Sequence, residues 1–360
     1  MIKPQHFVVL AATTFVALVL AAILHASSTQ RAPGTVEGRP MLPELRRDAN
    51  ALTGIEISKR GRTLTFVRNG EQWTIKERAG YPVQADKVRA LLVQLTNAEL
   101  AEPKTAAKDR WALLDLEDPA SADAKSGLVR LLGTGGKPIG EIVVGKRRMN
   151  AFGTGRHGTY VRRPSETQTW LASGGPNVAL DVKDWVDPAI FKADTEKLKR
   201  VTVAHPKEVP IVVEREGEAG KGGKFVLKSV PEGMKIKESA GVEQIALSVG
   251  SVDLEDVRKL DVTPVGDDVS TITAESADGM TITLRLRRAG DPEEAWLSFV
   301  ATGEGEAKKA ADEINAKGSG WEFKIPKWKA DQIGKRAADI FEQAQDSTSP
   351  AEPKQGAAGQ

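Results

Sequence analysis

Short stretches in which apolar and polar residues alternate recur along most of the chain, and this period of two is typical of half-buried β-strands. The first two stretches, 63–67 and 72–75, flank the dipeptide Asn69-Gly70, which favours a tight turn and so predicts a β-hairpin. Further strands are predicted where the alternation returns between turns rich in Gly and Pro, at 127–132, 139–144, 159–163 and 167–171.

A helical period interrupts these strands in the first half of the chain. Four apolar residues recur at i, i+3, i+4 and i+7, the spacing of one helix face: Val88, Leu91, Leu92 and Leu95. Asp86 can cap the amino terminus of this helix, and the pattern predicts that the helix covers residues 86–101.

The second half of the chain repeats this order of elements. It predicts a hairpin of strands 211–214 and 224–227, followed by a helix at 242–254. Three strands follow at 270–275, 280–287 and 296–301, then a final strand at 321–323 and a closing helix at 330–343. Four apolar positions recur 157 residues later: Val88, Leu92, Leu95 and Leu100 correspond to Ile245, Val249, Val252 and Val257. The common order and the constant offset favour a tandem duplication. We therefore expect an α+β protein, a tandem repeat of two modules in which antiparallel β-meanders pack on a few helices.

The run 7–24 (FVVLAATTFVALVLAAIL) carries no charge and is 18 residues long. As an α-helix it would span about 27 Å, close to the roughly 30 Å hydrocarbon core of a bilayer, and this favours a retained transmembrane anchor. The alternative is a cleaved signal peptide, whose apolar region is usually shorter; its best cleavage site is Ala26-Ser27. Lys3 favours a cytoplasmic amino terminus, whereas four arginines after the run favour the reverse: Arg31, Arg39, Arg46 and Arg47.

A single amino-terminal helix before a long chain usually exports that chain, so we expect a single-pass protein of the inner membrane with its bulk in the periplasm. Composition and pattern then divide the chain into five segments: an anchor 1–26, a linker 27–43, a first module 44–192, a second module 193–345 and a tail 346–360. The tail lacks large apolar residues and is expected to be disordered.

Charge and cysteine content exclude several classes of function. The 51 basic and 49 acidic residues leave a net charge of +2, which argues against a protein that binds polyanions over its whole surface, and we expect no nucleic acid as a partner. The chain has no cysteine, so disulfides, thiol catalysis, thiolate metal sites and lipoprotein acylation are excluded.

A set of short motifs is distributed along both halves of the chain. It consists of Gln72-Trp73, Tyr81-Pro82, 85–88, 113–119 and 158–162 in the first half, and 321–326 and 330–332 near the end. In this set the chain resembles a bacterial family known as domain of unknown function 4340. The resemblance implies one amino-terminal membrane helix and an auxiliary role beside ABC transport systems of the gliding-motility type. It implies no catalytic residue, because the family has none established.

The histidines outside the anchor region give no recognisable catalytic pattern. His157 lies in the glycine-rich stretch 153–159, which lacks the Lys-Ser/Thr of a phosphate-binding loop and leads into a strand rather than a helix. A flexible hairpin loop is the better interpretation. His205 precedes Pro206 and reads as a turn residue between the modules.

Two groups of carboxylates are candidates for acid–base chemistry or for weak calcium binding: Asp115, Glu117 and Asp118, and Asp267 with Asp268. Neighbours in a turn are more often solvated or capping than convergent in a cleft. There is also no Gly-x-Ser-x-Gly elbow. We therefore expect no catalytic residue, no cofactor and no metal, with an unrecognised hydrolase as the remaining enzymatic alternative.

The most distinctive polar stretch is 145–164, which contains six cations and no acidic residue. We take it as a candidate contact surface formed by Lys146, Arg147, Arg148, Arg156, His157, Arg162 and Arg163. It could meet anionic lipid headgroups, an acidic partner or a cell-wall polymer. The alternative is an ordinary pair of strands with arginines pointing outward along an edge.

The seven tryptophans most often lie in apolar strand patterns, so they are expected to pack in cores rather than form a sugar platform. The leading functional hypothesis is a non-enzymatic auxiliary component of an ABC-type transport system that acts through protein–protein contacts with other envelope proteins. The alternative is an extracytoplasmic module that binds cell-wall glycan or another anionic polymer.

Overall fold

The computed structural model describes residues 38–176, 178–217, 223–260, 268–290 and 294–344. The predicted anchor, most of the predicted linker and the predicted tail lie outside these residues. Within the described residues no helix is both long and apolar enough to cross a membrane.

By its internal contacts the chain divides into two compact units. The first unit ends at Leu180 and the second begins at Asp181, and the second also takes in Arg78–Tyr81. The sequence places the module boundary after residue 192. In the structure the strand Ala189–Lys192 belongs to the second unit, because it pairs with Ser251–Asp253.

The described part of the first unit contains one sheet of ten strands. The strands are β1 Arg39–Pro40, β2 Gly54–Lys59, β3 Arg62–Asn69, β4 Gln72–Ile75, β5 Tyr81–Val83, β6 Glu99–Pro103, β7 Gly127–Leu132, β8 Pro138–Arg148, β9 Gly158–Arg162 and β10 Thr169–Ser173. The helices are α1 Pro43–Asp48 and α2 Ala85–Asn97, with 3-10 turns at Ala49–Ala51, Lys76–Arg78, Lys108–Leu114 and Thr134–Gly136. Across the sheet the order is β1-β6-β10-β9-β8-β7-β2-β3-β4-β5.

Alternation of apolar residues builds the core of the first unit, as the sequence pattern predicts. Ile55 and Ile57 of β2 and Phe66 of β3 are fully buried, and the residues between them are more exposed. The helix α2 buries Val88, Leu91 and Leu95, which confirms its predicted apolar face. The helix is shorter than predicted and ends at Asn97. Leu100 is buried on strand β6 instead, because Ala98 is already extended.

The second unit contains an eight-stranded sheet and two strand pairs among its described residues. Its strands are β11 Ala189–Lys192, β12 Leu198–Ala204, β13 Ile211–Arg215, β14 Phe225–Leu227, β15 Met234–Ile236, β16 Ser251–Asp253, β17 Asp256–Lys259, β18 Val269–Ser276, β19 Thr281–Ala289, β20 Glu294–Thr302, β21 Trp321–Ile325 and β22 Phe341–Gln343. Its helices are α3 Val242–Ser248, α4 Glu306–Gly318, α5 Lys327–Ile333 and α6 Ala337–Ile340, with 3-10 turns at Val182–Asp184 and Glu238–Ala240. The large sheet has the order β14-β13-β12-β18-β19-β20-β21-β17, while β11 pairs with β16 and β15 with β22.

Three helix predictions in this unit were wrong in extent or missing. The helix predicted over 242–254 ends at Ser248, and Gly250 follows where a Cβ would lie 2.2 Å from the Thr195 side chain. The helix predicted over 330–343 is α5, α6 and the strand β22, separated at Gly334, where a Cβ would lie 2.7 Å from Leu286. The helix α4 was not predicted, because only one of its four buried residues, Ile314, is a large apolar residue.

Both units are α+β structures with mostly antiparallel sheets and few helices, as the sequence predicts. Their strands are also connected in the same order. In the first unit β2, β3 and β4 precede the helix α2, β6 follows it, and β7 to β10 lead across the sheet until β10 pairs with β6. In the second unit β12, β13 and β14 precede α3, β17 follows it, and β18 to β21 lead across until β21 pairs with β17.

The offset of 157 residues does not align these elements throughout. Leu95 lies in the helix α2, whereas Val252 lies in the strand β16. Leu100 and Val257 both lie on the strand that pairs with the last strand of their sheet. The common strand order therefore rests on topology and not on a fixed residue spacing.

Candidate functional site

Three of the predicted contact residues end the long strand β8. Lys146, Arg147 and Arg148 are exposed, and a bulge between Val144 and Arg147 places one extra residue in the pairing between β8 and β9. Gly145 lies in this bulge, and a Cβ there would lie 2.2 Å from the carbonyl oxygen of Leu114. Any other residue at this position would displace the 3-10 segment that packs on the strand.

The loop after β8 is held by its own backbone and by two polar side chains. Asn150 has a positive φ of 51°, and its side-chain oxygen accepts a hydrogen bond of 2.9 Å from the Gly155 N–H. The Nδ1 atom of His157 accepts a bond of 3.2 Å from the Asn150 N–H. His157 therefore orders the loop, and Arg156 beside it remains exposed.

Arg162 lies away from this exposed group. It is only 5% exposed, its Nε and Nη2 atoms donate to the Leu116 carbonyl oxygen at 3.4 Å, and its guanidinium lies 3.9 Å from the centre of the Trp111 ring. Burial lowers the pKa of Arg162, and nearby Asp118 partly offsets this. Arg163 is half-buried and donates to Glu166 at 3.1 Å and to the Met41 carbonyl oxygen at 3.3 Å.

The structure thus separates the predicted contact residues into three groups. Arg162 and Arg163 serve the packing of the first unit, and His157 orders the loop. Lys146, Arg147, Arg148 and Arg156 remain on the surface, and we call these four residues the basic loop. Among the residues that the structure describes, no carboxylate lies at salt-bridge distance from any of the four.

Two exposed apolar side chains accompany the basic loop. Met149, directly after Arg148, is 63% exposed. Leu113 is 66% exposed and belongs to the 3-10 segment Lys108–Leu114, the end of which packs against Gly145 at the base of the loop. Phe152 is half-buried, and its ring packs so close to Gly158 that a Cβ added to this glycine would lie 3.0 Å from it.

The predicted carboxylate group of the first unit organises a turn. Glu117 accepts a bond of 2.5 Å from the Lys125 N–H, and Asp118 accepts one of 3.0 Å from the Ala120 N–H. Asp115 has a positive φ of 54° and ends the 3-10 segment. These contacts are those of capping residues. In the second unit Asp268 is exposed, and Asp267 lies outside the described residues.

His205 makes two specific contacts that the sequence did not suggest. It is buried, its Nδ1 atom lies 2.7 Å from the hydroxyl oxygen of Ser270, and its Nε2 atom lies 2.9 Å from the Lys335 carbonyl oxygen. Because a carbonyl oxygen can only accept, Nε2 donates the hydrogen bond to Lys335, and Nδ1 is left to pair with the Ser270 hydroxyl. Ser270 itself is buried and lines neither of the cavities described below.

A buried carboxylate in the second unit was also missed. Glu322 is only 1% exposed and accepts bonds from Arg258 at 2.5 Å and from Arg287 at 2.9 Å. The guanidinium of Arg258 lies 3.7 Å from the centre of the Trp296 ring. The alternation around Phe323 could have placed Glu322 on the opposite face of the strand, but its two partners lie far away in the sequence.

Three further groups in the second unit have shifted pKa values. Burial, with the charge of Asp187, raises the pKa of Tyr81 to about 12. Hydrogen bonds from Lys324 and Trp296 lower the pKa of Glu294. Burial lowers the pKa of Lys329, partly offset by Asp253.

The tryptophans are mostly buried or half-buried, in line with their expected place in cores. Trp328 differs: it lies on α5 and is 61% exposed. An indole with this exposure places a large apolar surface in contact with water.

The cavities of the second unit include two that are lined by charged residues. One, of about 320 Å³, is lined by residues that include Phe191, Asp194 and Lys317. The other, of about 630 Å³, is lined by Arg288, Lys327, Lys335, Arg336, Asp331 and Asp339. Arg288 donates to Asp331 at 2.7 Å and Lys335 to the Ala240 carbonyl oxygen at 2.6 Å, so these charges are already bound within the fold. The described residues contain no group of three His, Asp or Glu side chains that could hold a metal ion.

Comparison with family models gives a match. A family model described as Domain of unknown function (DUF4340) matches residues 73–271, from strand β4 in the first unit to strand β18 in the second. No curated protein matches the chain, and no solved structure matches it. The match confirms the resemblance seen in the motifs of the first half, while the motifs at 321–326 and 330–332 lie outside the matched residues.

Proposed function

Because the chain belongs to the DUF4340 family, whose description names no activity, we propose from its own surfaces that it is a non-enzymatic envelope protein that works through protein–protein contacts. In this proposal it is an auxiliary component of an ABC-type transport system. The observation that carries the contact role is the exposed indole of Trp328 on α5. Tryptophan is among the residues that contribute most to binding at protein interfaces, because it buries a large rigid surface.

The local structure suits Trp328 to a contact role. The helix α5 buries Ala330 and Ile333 and holds Lys329 largely out of water, so the position of the helix is fixed by its opposite face. The indole can then meet a partner without reordering of the helix, which keeps the entropic cost of binding low.

The proposal places the protein at the inner membrane through residues 7–24, with the two units outside the cytoplasm. The support is the length and apolar character of that run, which matches a bilayer. Cleavage after the run would release the units and is the alternative.

We further propose that the two units arose by tandem duplication. The support is their common strand order, in which the strand after the helix crosses to pair with the last strand of the sheet. The 157-residue offset carries less weight, since it pairs a helical residue with a strand residue.

In-cell crosslinking of the full-length tagged protein, followed by purification in mild detergent and mass spectrometry, tests the contact role. We expect to recover subunits of an ABC transporter, and we expect Trp328→Ala to lower their yield at least about tenfold, as loss of an interface hot spot does. Val209→Ala is the matched control, because Val209 is equally exposed at 61% in the same unit. Equal yields from the two variants, or recovery of the protein alone, would contradict the proposal.

A second candidate function is binding of an anionic cell-wall glycan or another anionic polymer. It is favoured by the four cations of the basic loop, which have no carboxylate partner among the described residues. Replacing Lys146, Arg147, Arg148 and Arg156 with Gln should abolish retention on an immobilised anionic glycan. Four lysines that are ion-paired in the structure provide the control when changed to Gln: Lys228, Lys235, Lys308 and Lys317. Retention that falls equally in both variants would show only a general charge effect.

A further inference from the structure

We infer that the basic loop rests on the anionic surface of a lipid bilayer, and that Met149 enters the headgroup region there. This inference rests on the proposed anchor, since the bilayer in question is the one that residues 7–24 would span. It assigns to the loop one occupant, the membrane surface, in place of a soluble polymer.

The basic loop concentrates positive charge on the surface of the first unit. Lys146, Arg147 and Arg148 are consecutive and exposed, and Arg156 returns to the same loop through the bond between Asn150 and Gly155. One acidic residue, Asp115, packs its backbone against Gly145 at the base of the loop. The loop therefore keeps a clear excess of positive charge, and clusters of Lys and Arg of this kind are attracted to anionic lipid.

The same surface also carries exposed apolar side chains. A site for a soluble polyanion gains nothing from an exposed methionine, whereas a site for a bilayer does, because the side chain leaves water when it enters the interface. Met149 stands between Arg148 and Asn150, and Leu113 is exposed on the segment packed against Gly145. Cations and apolar side chains at one end of the sheet are the combination that interfacial binding uses.

The basic loop lies within reach of the bilayer that the apolar run would span. Strand pairing places one row of residues across the sheet: Arg39, Leu100, Ala172, Thr159 and Arg147. Arg39 and Arg147 are thus separated by four strand spacings, or about 19 Å. The 13 residues 25–37 that join the apolar run to Gly38 can reach at most about 45 Å, so a protein anchored by that run can bring the loop onto the same bilayer.

The chain has no cysteine, so one introduced cysteine gives a unique labelling site in the full-length protein. Met149→Cys carries a nitroxide, and the protein is reconstituted into vesicles of neutral phosphatidylcholine or of phosphatidylcholine with about one-third phosphatidylglycerol. Relaxation by oxygen reports lipid, and relaxation by a water-soluble nickel chelate reports water. Val209→Cys is the control for a label on an equally exposed apolar position.

In anionic vesicles we expect the label at position 149 to lose access to the nickel chelate and to gain access to oxygen. High salt should reverse this change, because it screens the attraction. Changing Lys146, Arg147, Arg148 and Arg156 to Gln in the labelled protein should abolish it, and the label at position 209 should stay in water. A label at 149 that remains equally accessible to the chelate in both vesicles overturns the inference.

Two other outcomes separate this inference from the proposed function. If the label at 149 is protected by a soluble anionic glycan and not by anionic vesicles, the inference is wrong and the polymer-binding function is favoured. Flotation of the protein with neutral vesicles measures insertion of the anchor alone, because neutral lipid does not attract the basic loop. Protein that fails to float with neutral vesicles and yet protects the label in anionic ones would contradict the retained anchor and support the loop contact.

Discussion

The two units share a strand order but protect charged groups in their sheets by different means. In the first unit 23 residues, 104–126, connect β6 to β7, and the 3-10 segment within them packs on Gly145. The same connection covers Arg162 with the ring of Trp111 and with the carbonyl of Leu116. In the second unit the corresponding connection, from β17 to β18, has only nine residues. There Glu322 is a buried charge, and two arginines of the same sheet neutralise it, Arg258 on the adjacent strand β17 and Arg287 on β19, two strands away.

This difference shows how one topology can be stabilised either by a connection or by the sheet itself. Backbone carbonyls and an aromatic ring hold Arg162 without a salt bridge, with the charge of Asp118 nearby. Glu322 is held by ion pairs instead, because a buried carboxylate without a partner is costly. Displacing the connection 104–126 should therefore destabilise the first unit, and removing the carboxylate of Glu322 should destabilise the second.

The largest effect is expected from Glu322→Gln. The change leaves Arg258 and Arg287 without their carboxylate, and we expect the second unit to lose about 3 kcal/mol of stability, as when one partner of a buried pair is removed. Hydrogen exchange of peptides from each unit during denaturant unfolding measures this loss. Glu342→Gln, which removes a carboxylate from an exposed ion pair with Lys235, should cost less than about 0.5 kcal/mol. Equal losses in both variants would contradict the role given to Glu322.

Gly145→Ala should act on the first unit instead. The new Cβ would meet the Leu114 carbonyl oxygen, so the connecting segment must move away from the sheet, and we expect a loss of about 2 kcal/mol. The same exchange measurement should show faster exchange around 104–126 and no change in the second unit. Gly140→Ala on the same strand is the control, because its Cβ would meet only the flexible end of Leu42 at 3.3 Å. A loss shared by both units would mean that the connection does not act locally.

A smaller and opposite effect is expected at Lys329. Burial lowers the pKa of this amine in the folded protein, so the unfolded chain binds the proton more tightly and stability rises with pH below the ordinary lysine pKa of 10.5. Lys329→Met should remove this pH dependence and stabilise the second unit at neutral pH, by less than the losses expected for the two changes above. Urea unfolding from neutral pH to about pH 10 measures both quantities. Destabilisation of the variant at neutral pH would show that the charged amine contributes favourably.

The raised pKa of Tyr81 should have the smallest effect on stability at neutral pH, because the phenol is protonated there in both the folded and the unfolded protein. Its raised pKa means that the folded state keeps the phenol proton, so this contribution to stability is present below pH 10.0 and is lost as the pH rises through about 12. The chain has two tyrosines, so the absorbance of Tyr160→Phe reports Tyr81 alone. A titration near 10 in the folded protein would contradict the burial of this ring, and denatured protein should titrate there.

Much of the fold could be predicted from the period of the apolar residues. The strand pattern and the buried face of α2 follow from the sequence because each has one clear period. Leu100 and Val252 were assigned to helices wrongly, since a single apolar residue fits either period and the structure places both on strands. The buried face of α4 could not be recognised in the sequence, because alanine contributes little to an apolar pattern.

The candidate surface could be predicted only in part. Arg147 and Arg162 look alike in a basic stretch, and what separates them is the bulge after Val144 and the burial of Arg162 under Trp111. Neither feature is local in the sequence. The pairs His205–Ser270 and Glu322–Arg258 join residues more than 60 positions apart, so no motif could have shown them.

The central claim is that the strand after the helix closes the sheet in the same way in both units. Because the chain has no cysteine, engineered pairs test this directly in the full-length protein: Glu99→Cys with Ser173→Cys in the first unit, and Lys259→Cys with Trp321→Cys in the second. We predict that both pairs form a disulfide under mild oxidation, while the displaced pair Lys259→Cys with Lys324→Cys does not. A disulfide in only one unit, or equal crosslinking of the displaced pair, would contradict the common topology.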